Sequence, residues 1–235
     1  STSPGNTGVS PIPVSVLFSE PVTGFTAADI TPTGATVADF SGSNDSYSFN
    51  LVPTVLSGTV SAKVGSGKCS DIAGNTNSAS NTLSFLYDGI APSVLSSVRV
   101  GASPTKLSTV KFTVTFSESV IGVDISDFSL NTTGVFGAFI SGIAGTGATR
   151  TVSVKTGTSS GTIHLEVINN GTITDLAGNV LSAGFAGGET YTIDKTKPSV
   201  VLTTTASNPT STTPIPVTAT FSEAVTGLTI GEIIP

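Results

Sequence analysis

Carboxylates are the side chains in this 235-residue chain whose types and spacing could do chemistry. They recur at four kinds of position: at the end of Phe-Ser-Glu, nine residues after it, at the start of Asp-x-Ala-Gly-Asn, and shortly before Pro-Ser-Val. These residues are Glu20, Glu118 and Glu223; Asp29, Asp127 and Glu232; Asp71 and Asp175; and Asp88 and Asp194. Carboxylate oxygens are ligands for hard cations such as Ca²⁺. No Asp-x-Asp-x-Asp-Gly loop is present, so an EF-hand is not indicated.

The other reactive side chains are few. The chain has one histidine, His164, and one cysteine, Cys69, which excludes a disulfide framework and a cysteine-based zinc site. A Ser-His-Asp triad cannot be assembled on one histidine that occurs in one repeat. We expect His164 to be a surface or rim residue of the domain and not a ligand. We expect Cys69 to face inward, because its counterpart in repeat two is the apolar Ile173. The sequence predicts no catalytic or cofactor-binding residues and no enzyme.

Composition excludes further classes. Nine basic residues stand against fifteen acidic ones, the net charge is −6, and no basic cluster occurs, so we expect no nucleic-acid partner. No apolar run approaches the ~18 residues of a membrane span. The absence of a signal or transit peptide suggests a mature or internal fragment. The hydroxyl-rich composition is typical of extracellular or cell-surface proteins. Three sequons, at Asn44, Asn131 and Asn170, predict N-glycosylation, although chance sequons are common in such a chain.

The chain repeats itself with a period of about 100 residues, the length of a domain rather than of a solenoid turn. Residues 11–20 return as 214–223 and, with more changes, as 109–118, while residues 71–75 return as 175–179. This order predicts repeat one at residues 1–88 without its first strand, and a complete repeat two at 89–194. The opening strands of a third repeat are predicted at 195–235.

The repeats have the pattern of strands. Residues 109–116 alternate apolar and polar side chains, as a half-buried strand does, and residues 93–100, 149–155, 162–168 and 189–194 are also predicted as strands. Gly, Ser, Thr and Asn clusters separate these segments, and no stretch of ten or more residues has helical periodicity. The prediction is an all-β chain of tandem immunoglobulin-like sandwiches with essentially no helix.

The recurring motifs resemble those of the bacterial Ig-like repeat. The set comprises Pro-Ile-Pro-Val with Phe-Ser-Glu, then Asp-x-Ala-Gly-Asn, then an aspartate four residues before Pro-Ser-Val, and it covers essentially the whole chain. Repeat two departs from it with Thr109-Val-Lys-Phe in place of Pro-Ile-Pro-Val. The resemblance implies a non-enzymatic extracellular role in a long array, and some related arrays bind calcium at their domain joints.

Immunoglobulin topology would place many of the carboxylates together at the joints. We expect Asp88, Glu118, Asp127 and Asp175 to meet at joint one-two, Asp194, Glu223 and Glu232 at joint two-three, and Glu20, Asp29 and Asp71 at the N-terminal pole of repeat one. A bound Ca²⁺ would relieve their mutual repulsion. The alternative is that these carboxylates form turns by accepting backbone N–H groups.

Two functions remain open. The first is a structural module of a long extracellular array, a spacer or building block of a surface fibre, stalk or sheath, whose partners are neighbouring repeats or like subunits. The second is an adhesin module that binds glycan or protein through its loops, with Tyr47, Tyr87 and Tyr191 as thin candidates. The incomplete first and third repeats are consistent with two alternatives. The chain is either a fragment of a continuous array or a subunit that donates a strand to the next subunit.

Overall fold

The computed structural model describes residues 6–233. Repeat one consists of two facing sheets. Its strands are β1 (Asn6–Thr7), β2 (Ile12–Leu17), β3 (Ile30–Thr33), β4 (Ala35–Ser43), β5 (Ser46–Pro53), β6 (Ser57–Val64) and β7 (Leu83–Asp88). The strand orders of the two sheets are β1-β7-β6-β3 and β2-β5-β4. Neighbouring strands are antiparallel, except that β1 runs parallel to β7.

Repeat two has a similar two-sheet arrangement built from nine strands. They are β8 (Val94–Arg99), β9 (Thr109–Phe116), β10 (Val120–Ile121), β11 (Phe128–Thr133), β12 (Phe139–Ala144), β13 (Thr149–Lys155), β14 (Gly161–Val167), β15 (Thr174–Asp175) and β16 (Thr190–Ile193). The two main sheets have the orders β11-β14-β16 and β12-β13-β9-β8, and β10 pairs with β15. Among the strands without a counterpart in repeat one, β8 pairs with the edge of β9, which is the counterpart of β2.

The third segment is a hairpin of β17 (Val200–Thr203) and β18 (Thr218–Phe221). Helix within residues 6–233 is confined to three-residue 3-10 turns, at Ala27–Asp29, Ile125–Asp127 and Ile230–Glu232. In that part of the chain no helix has the length and apolar character needed to cross a membrane. The predicted all-β, immunoglobulin-like fold is confirmed, with strand limits within two residues of those expected.

Each repeat buries its own apolar core, because alternate side chains of its strands face the opposite sheet. Val110, Phe112, Val114 and Phe116 of β9 are at most 3% exposed, as their alternation predicts. Tyr191 packs edge-on against Phe112, with 5.2 Å between ring centroids. Its hydroxyl donates to the carbonyl of Lys111 at 3.2 Å.

The burial of two tyrosines corrects one expectation. Tyr47 and Tyr191, candidates for loop aromatics of an adhesin, are 8% and 1% exposed and belong to the two cores. Each lies on a strand at an inward-facing position, between polar residues that face solvent. Tyr87 is half-buried and packs against the core of repeat one.

We expect Phe112→Ala to destabilise repeat two by about 3–5 kcal/mol, because it leaves a cavity beside Tyr191 in a fully packed core. Repeat one should keep its stability, since its core is a separate cluster. Hydrogen exchange measured by mass spectrometry reports each repeat separately. Leu95→Ala, at an outward position of β8 that is 61% exposed, is the matched control and should change little. Equal loss of protection in both repeats would contradict independent cores.

Candidate metal centre at the joint between repeats

The Asp-x-Ala-Gly-Asn sequence of repeat two folds into a tight turn around its first carboxylate. Asp175 Oδ1 accepts hydrogen bonds from the backbone N–H groups of Ala177 and Asn179, both at 2.8 Å. Gly178 has φ of 94°, a conformation that glycine adopts without strain. The side chain of Asn179 donates to Asp175 Oδ2 at 2.8 Å, which closes the turn.

The same turn recurs in repeat one. Asp71 Oδ1 accepts the backbone N–H of Asn75 at 2.8 Å, and the Asn75 amide donates to Asp71 Oδ2 at 2.8 Å. These bonds, the side-chain bond above all, lower the pKa of Asp71. The turn-forming role that the sequence suggests for Asp71 and Asp175 is therefore present in both repeats.

In repeat two this turn also reaches across to repeat one. The amide of Asn179 donates to the backbone carbonyl of Asp88, the last residue of β7, at 2.8 Å. The carbonyl of Ala177 accepts the backbone N–H of Gly8 at 2.9 Å. A Cβ on Gly8 would lie only 2.6 Å from Asn179 Oδ1, so the joint needs a residue without a side chain there. Both ends of repeat one are thus tied to a single turn of repeat two.

This contact gathers three carboxylates. Asp88, Glu118 and Asp175 each place an oxygen within 4.8 Å of the other two. Asp88 ends β7, Glu118 follows β9 and Asp175 ends β15, so two come from repeat two and one from the last strand of repeat one. Asp175 is 1% exposed, and the other two are half-buried. The structure thus brings together three of the four residues expected at joint one-two.

The cluster is electrostatically unfavourable when its three members are ionised. The pKa of Glu118 is raised, chiefly because burial disfavours its charge, and further by the nearby charges of Asp175 and Asp88. Carboxylates at this separation, partly withdrawn from water, form a donor set that a hard divalent cation would neutralise. Asp88 Oδ1 and both oxygens of Asp175 already accept hydrogen bonds, which fix the orientation of these carboxylates.

Asp127, the fourth expected member, lies elsewhere. Its carboxylate accepts the backbone N–H of Asp124 at 2.6 Å and the hydroxyl of Thr172, and so caps the 3-10 turn Ile125–Asp127. Asp29 and Glu232 cap their own 3-10 turns in the same way. The spacing of each from a cap residue three positions earlier is the signal of a capping box. Asp127 is therefore withheld from the cluster by its local hydrogen bonds.

The other two expected groups are not assembled within residues 6–233. Asp194 accepts the backbone N–H of Thr196 at 2.9 Å, while Glu223 follows β18 and Glu232 caps its turn. At the N-terminal pole of repeat one, Glu20 and Asp71 line one pocket, but Asp29 is held by Thr26. The cluster at joint one-two combines a linker aspartate, a strand-end glutamate and a turn aspartate. The part of the chain that the structure describes provides that combination only at this joint. Metal binding by these residues remains a prediction.

The remaining candidates are placed as follows. The sequon residues Asn44, Asn131 and Asn170 are exposed and therefore accessible to a glycosylating enzyme. Their glycosylation stays a prediction. Cys69 is buried as expected, and burial raises the pKa of its thiol. His164 is half-buried on β14, with Nε2 2.9 Å from the carbonyl oxygen of Ala186.

Two residues of the joint, Gly8 and Asn179, were not predicted from the sequence. Asn179 was visible only as part of a motif, although an asparagine at the end of both turns was a signal of its role. No sequence pattern indicated the role of Gly8, because its lack of a side chain is needed only for packing against a turn about 170 residues further along the chain.

The comparisons with known proteins agree with this architecture. The model of a bacterial Ig-like domain matches residues 7–87, which span repeat one. Domains of this family are generally non-enzymatic and typically occur in surface proteins. No match was found among curated proteins.

Asn179→Ala should loosen the joint, because it removes the bond to the Asp88 carbonyl. Small-angle X-ray scattering should show a wider distribution of shapes than for the wild type. Asn75→Ala is the matched control, since Asn75 closes the same turn in repeat one, where its amide bonds within the turn. Equal changes in both variants would show that the amide acts within its turn alone.

Gly8→Ala should open the joint by steric contact with Asn179 and Ala177. We expect the same change in scattering as for Asn179→Ala, with the core of each repeat unaffected. Gly142→Ala is the control, since a Cβ there meets no atom within 4 Å and the backbone is not in the left-handed region. Unchanged scattering of Gly8→Ala would contradict a tightly packed joint.

Proposed function

Residues 7–87 are a bacterial Ig-like domain, and from this premise we propose that the chain is a non-enzymatic structural module of a cell-surface protein. Its repeats act as a spacer or building block in the extracellular array of a fibre, stalk or sheath. Neighbouring repeats are its main partners. The observation that carries this proposal is the joint, where hydrogen bonds from one turn hold two independently cored repeats together.

A spacer needs a joint that resists bending, because a flexible linker lets consecutive domains fold back on one another. The linker here is held by hydrogen bonds to repeat two. Asn179 donates to the Asp88 carbonyl, Ser93 donates its backbone N–H to the Ser117 hydroxyl at 2.9 Å, and Ser182 donates its N–H to the Pro92 carbonyl at 2.9 Å. The segment from the end of β7 to the start of β8 is therefore fastened to repeat two at both ends.

The side chains that could do chemistry serve the fold instead, which supports a structural role. Arg150, 7% exposed, donates to the carbonyls of Gly147, Thr149 and Val120 and so connects the loop before β13 to β10. Asp127 caps a 3-10 turn.

We further propose that Asp88, Glu118 and Asp175 hold a Ca²⁺ ion at the joint. The support is the donor set itself, three carboxylates with oxygens within 4.8 Å of one another, one of them buried. Calcium takes six to eight oxygens, so backbone carbonyls and water would complete the sphere. Because the three carboxylates come from both repeats, the ion would bridge repeat one and repeat two and stiffen the joint.

The calcium proposal is tested by thermal unfolding with matched variants. Millimolar Ca²⁺ should raise the melting temperature of the wild type, since a ligand at a hundred times its Kd stabilises by about 2.7 kcal/mol. Glu118→Gln should lose this increment. Glu20→Gln, at the equivalent position of repeat one, should keep it. No calcium effect on the wild type, or an equal loss in both variants, would exclude the site.

The pH dependence without metal gives a second test. The pKa of Glu118 is raised in the folded state, so the folded chain binds its proton more tightly than the unfolded chain. The resulting penalty is present above the raised pKa and is relieved as the pH falls through it. In EDTA, Glu118→Gln should therefore unfold with a higher free energy than the wild type at neutral pH. This difference should shrink towards acid pH, and parallel curves from urea titrations would contradict it.

An adhesin role is the second candidate, and it is supported by two exposed phenylalanines rather than by the tyrosines. Phe136 and Phe139, before and at the start of β12, are 74% and 56% exposed. Exposed aromatic rings suit the apolar faces of sugars and of protein ligands. A glycan array probed with the wild type and with Phe136→Ala tests this role. Saturable binding that is lost in the variant would favour the adhesin over the pure spacer.

A further inference from the structure

The loop of residues 168–173, which leads from β14 to β15, contains the dipeptide Asn170-Gly171. No other asparagine in the chain precedes a glycine. This is a labile setting for an asparagine, because a glycine lets its backbone nitrogen approach the side-chain carboxamide without steric hindrance. Both residues are exposed, and a Cβ placed on Gly171 would meet no atom within 4 Å. The loop therefore leaves room for a reaction between the two residues.

The loop holds the Asn170 side chain folded back over its own backbone. Asn170 Oδ1 accepts the backbone N–H of Thr172 at 3.2 Å, which makes an Asx-turn around Gly171. Gly171 has φ of 89°, a left-handed conformation that glycine adopts without strain. Asn170 Nδ2 donates to the carbonyl of Ser126 at 3.4 Å, which fixes the other end of the carboxamide. The turn thus holds the carboxamide carbon over the peptide group that joins Asn170 to Gly171.

The groups around this carboxamide match those that a cyclisation requires. Among residues 6–233 the backbone N–H of Gly171 has no acceptor, so no hydrogen bond holds its nitrogen back. Oδ1, which becomes negatively charged in the tetrahedral intermediate, faces the N–H of Thr172 and also its hydroxyl, whose oxygen lies 2.5 Å away. Donors held in place in this way stabilise a developing oxyanion. The hydroxyl also contacts the buried carboxylate of Asp127, which keeps it in position.

We propose that Asn170 is a modification site at which the turn promotes intramolecular deamidation. The Gly171 nitrogen attacks Asn170 Cγ, the bond from Cγ to Nδ2 breaks, and the proton of the attacking nitrogen leaves with the amide group as ammonia. One water molecule then opens the resulting five-membered succinimide at either of its two carbonyl carbons. Opening at Cγ restores the backbone with an aspartate at this position. Opening at the backbone carbonyl carbon gives an isoaspartate, in which the main chain runs through the side chain.

Both products change the contacts that hold the loop. The new carboxylate would lie across the Thr172 hydroxyl from Asp127, and it has no N–H to donate to the Ser126 carbonyl. An isoaspartate adds a carbon atom to the main chain of a closely packed loop, since a Cβ on Gly122 would lie 2.2 Å from the carbonyl oxygen of Thr172. The loop leads into β15, which ends at Asp175. The modification would thus act on the turn that holds the two repeats together.

The reaction is tested by peptide mapping of the folded chain after incubation at mildly alkaline pH. The chain is produced in a host without N-glycosylation, since a glycan on Nδ2 would block the reaction. Mass spectrometry should show the Asn170 peptide converted to two acids of equal mass, while Asn44 and Asn131, which precede Asp45 and Thr132, remain amides. The folded chain should react at least as fast as the chain unfolded in urea, because the turn holds the reacting groups together. A slower reaction in the folded chain, or none, would overturn the proposal.

The part played by Thr172 is tested by two variants. Thr172→Val keeps the backbone N–H and removes the hydroxyl, so deamidation of the folded chain should slow by about tenfold, less than the ~100-fold effect of a buried oxyanion donor because this loop is exposed. Thr172→Ser keeps a hydroxyl and should react as the wild type does. In urea all three chains should react equally, and circular dichroism checks that the variants fold. Equal rates of the folded wild type and Thr172→Val would overturn the assigned role of the hydroxyl.

Discussion

The bond from the Asn179 side chain to the Asp88 carbonyl is the contact on which the organisation of this chain depends. Asn179 closes the turn that Asp175 opens, and the same amide reaches the last residue of the preceding repeat. A turn that forms locally in both repeats therefore becomes a connection between them in repeat two. Gly8 makes this possible by allowing the backbone of repeat one to approach the turn directly.

The same contact brings three carboxylates together, and their mutual repulsion would be relieved by a bound cation. The contact places Asp88 beside Glu118 and Asp175, and the pKa of Glu118 is raised, chiefly by burial and further by the charges of the two aspartates. A chain with few charged residues concentrates three of them at this joint. A cation there would neutralise the three charges and link the two repeats, whereas the capping carboxylates of Asp29, Asp127 and Glu232 are each stabilised by hydrogen bonds within their own turns.

Much of the fold could be predicted because it depends on local patterns. Alternation in residues 109–116 defines an inward face whatever the strand pairs with, and the recurring motifs define repeats. The site was only partly predictable. Asp88, Glu118 and Asp175 were found because they recur at equivalent positions, but so do the capping residues, and recurrence does not distinguish a ligand from a cap. Tyr47 and Tyr191 were misjudged because a tyrosine has both a polar and an apolar part, and its burial depends on the strand face.

The sequence by itself determined the class of fold and the positions of the carboxylates, since these follow from periodicity and from short motifs that form turns locally. Only the tertiary structure decided which carboxylates meet, and that Gly8 and Asn179 hold the joint. These features join residues far apart in the chain. Their distances depend on how two sandwiches lie against each other, which no local pattern records.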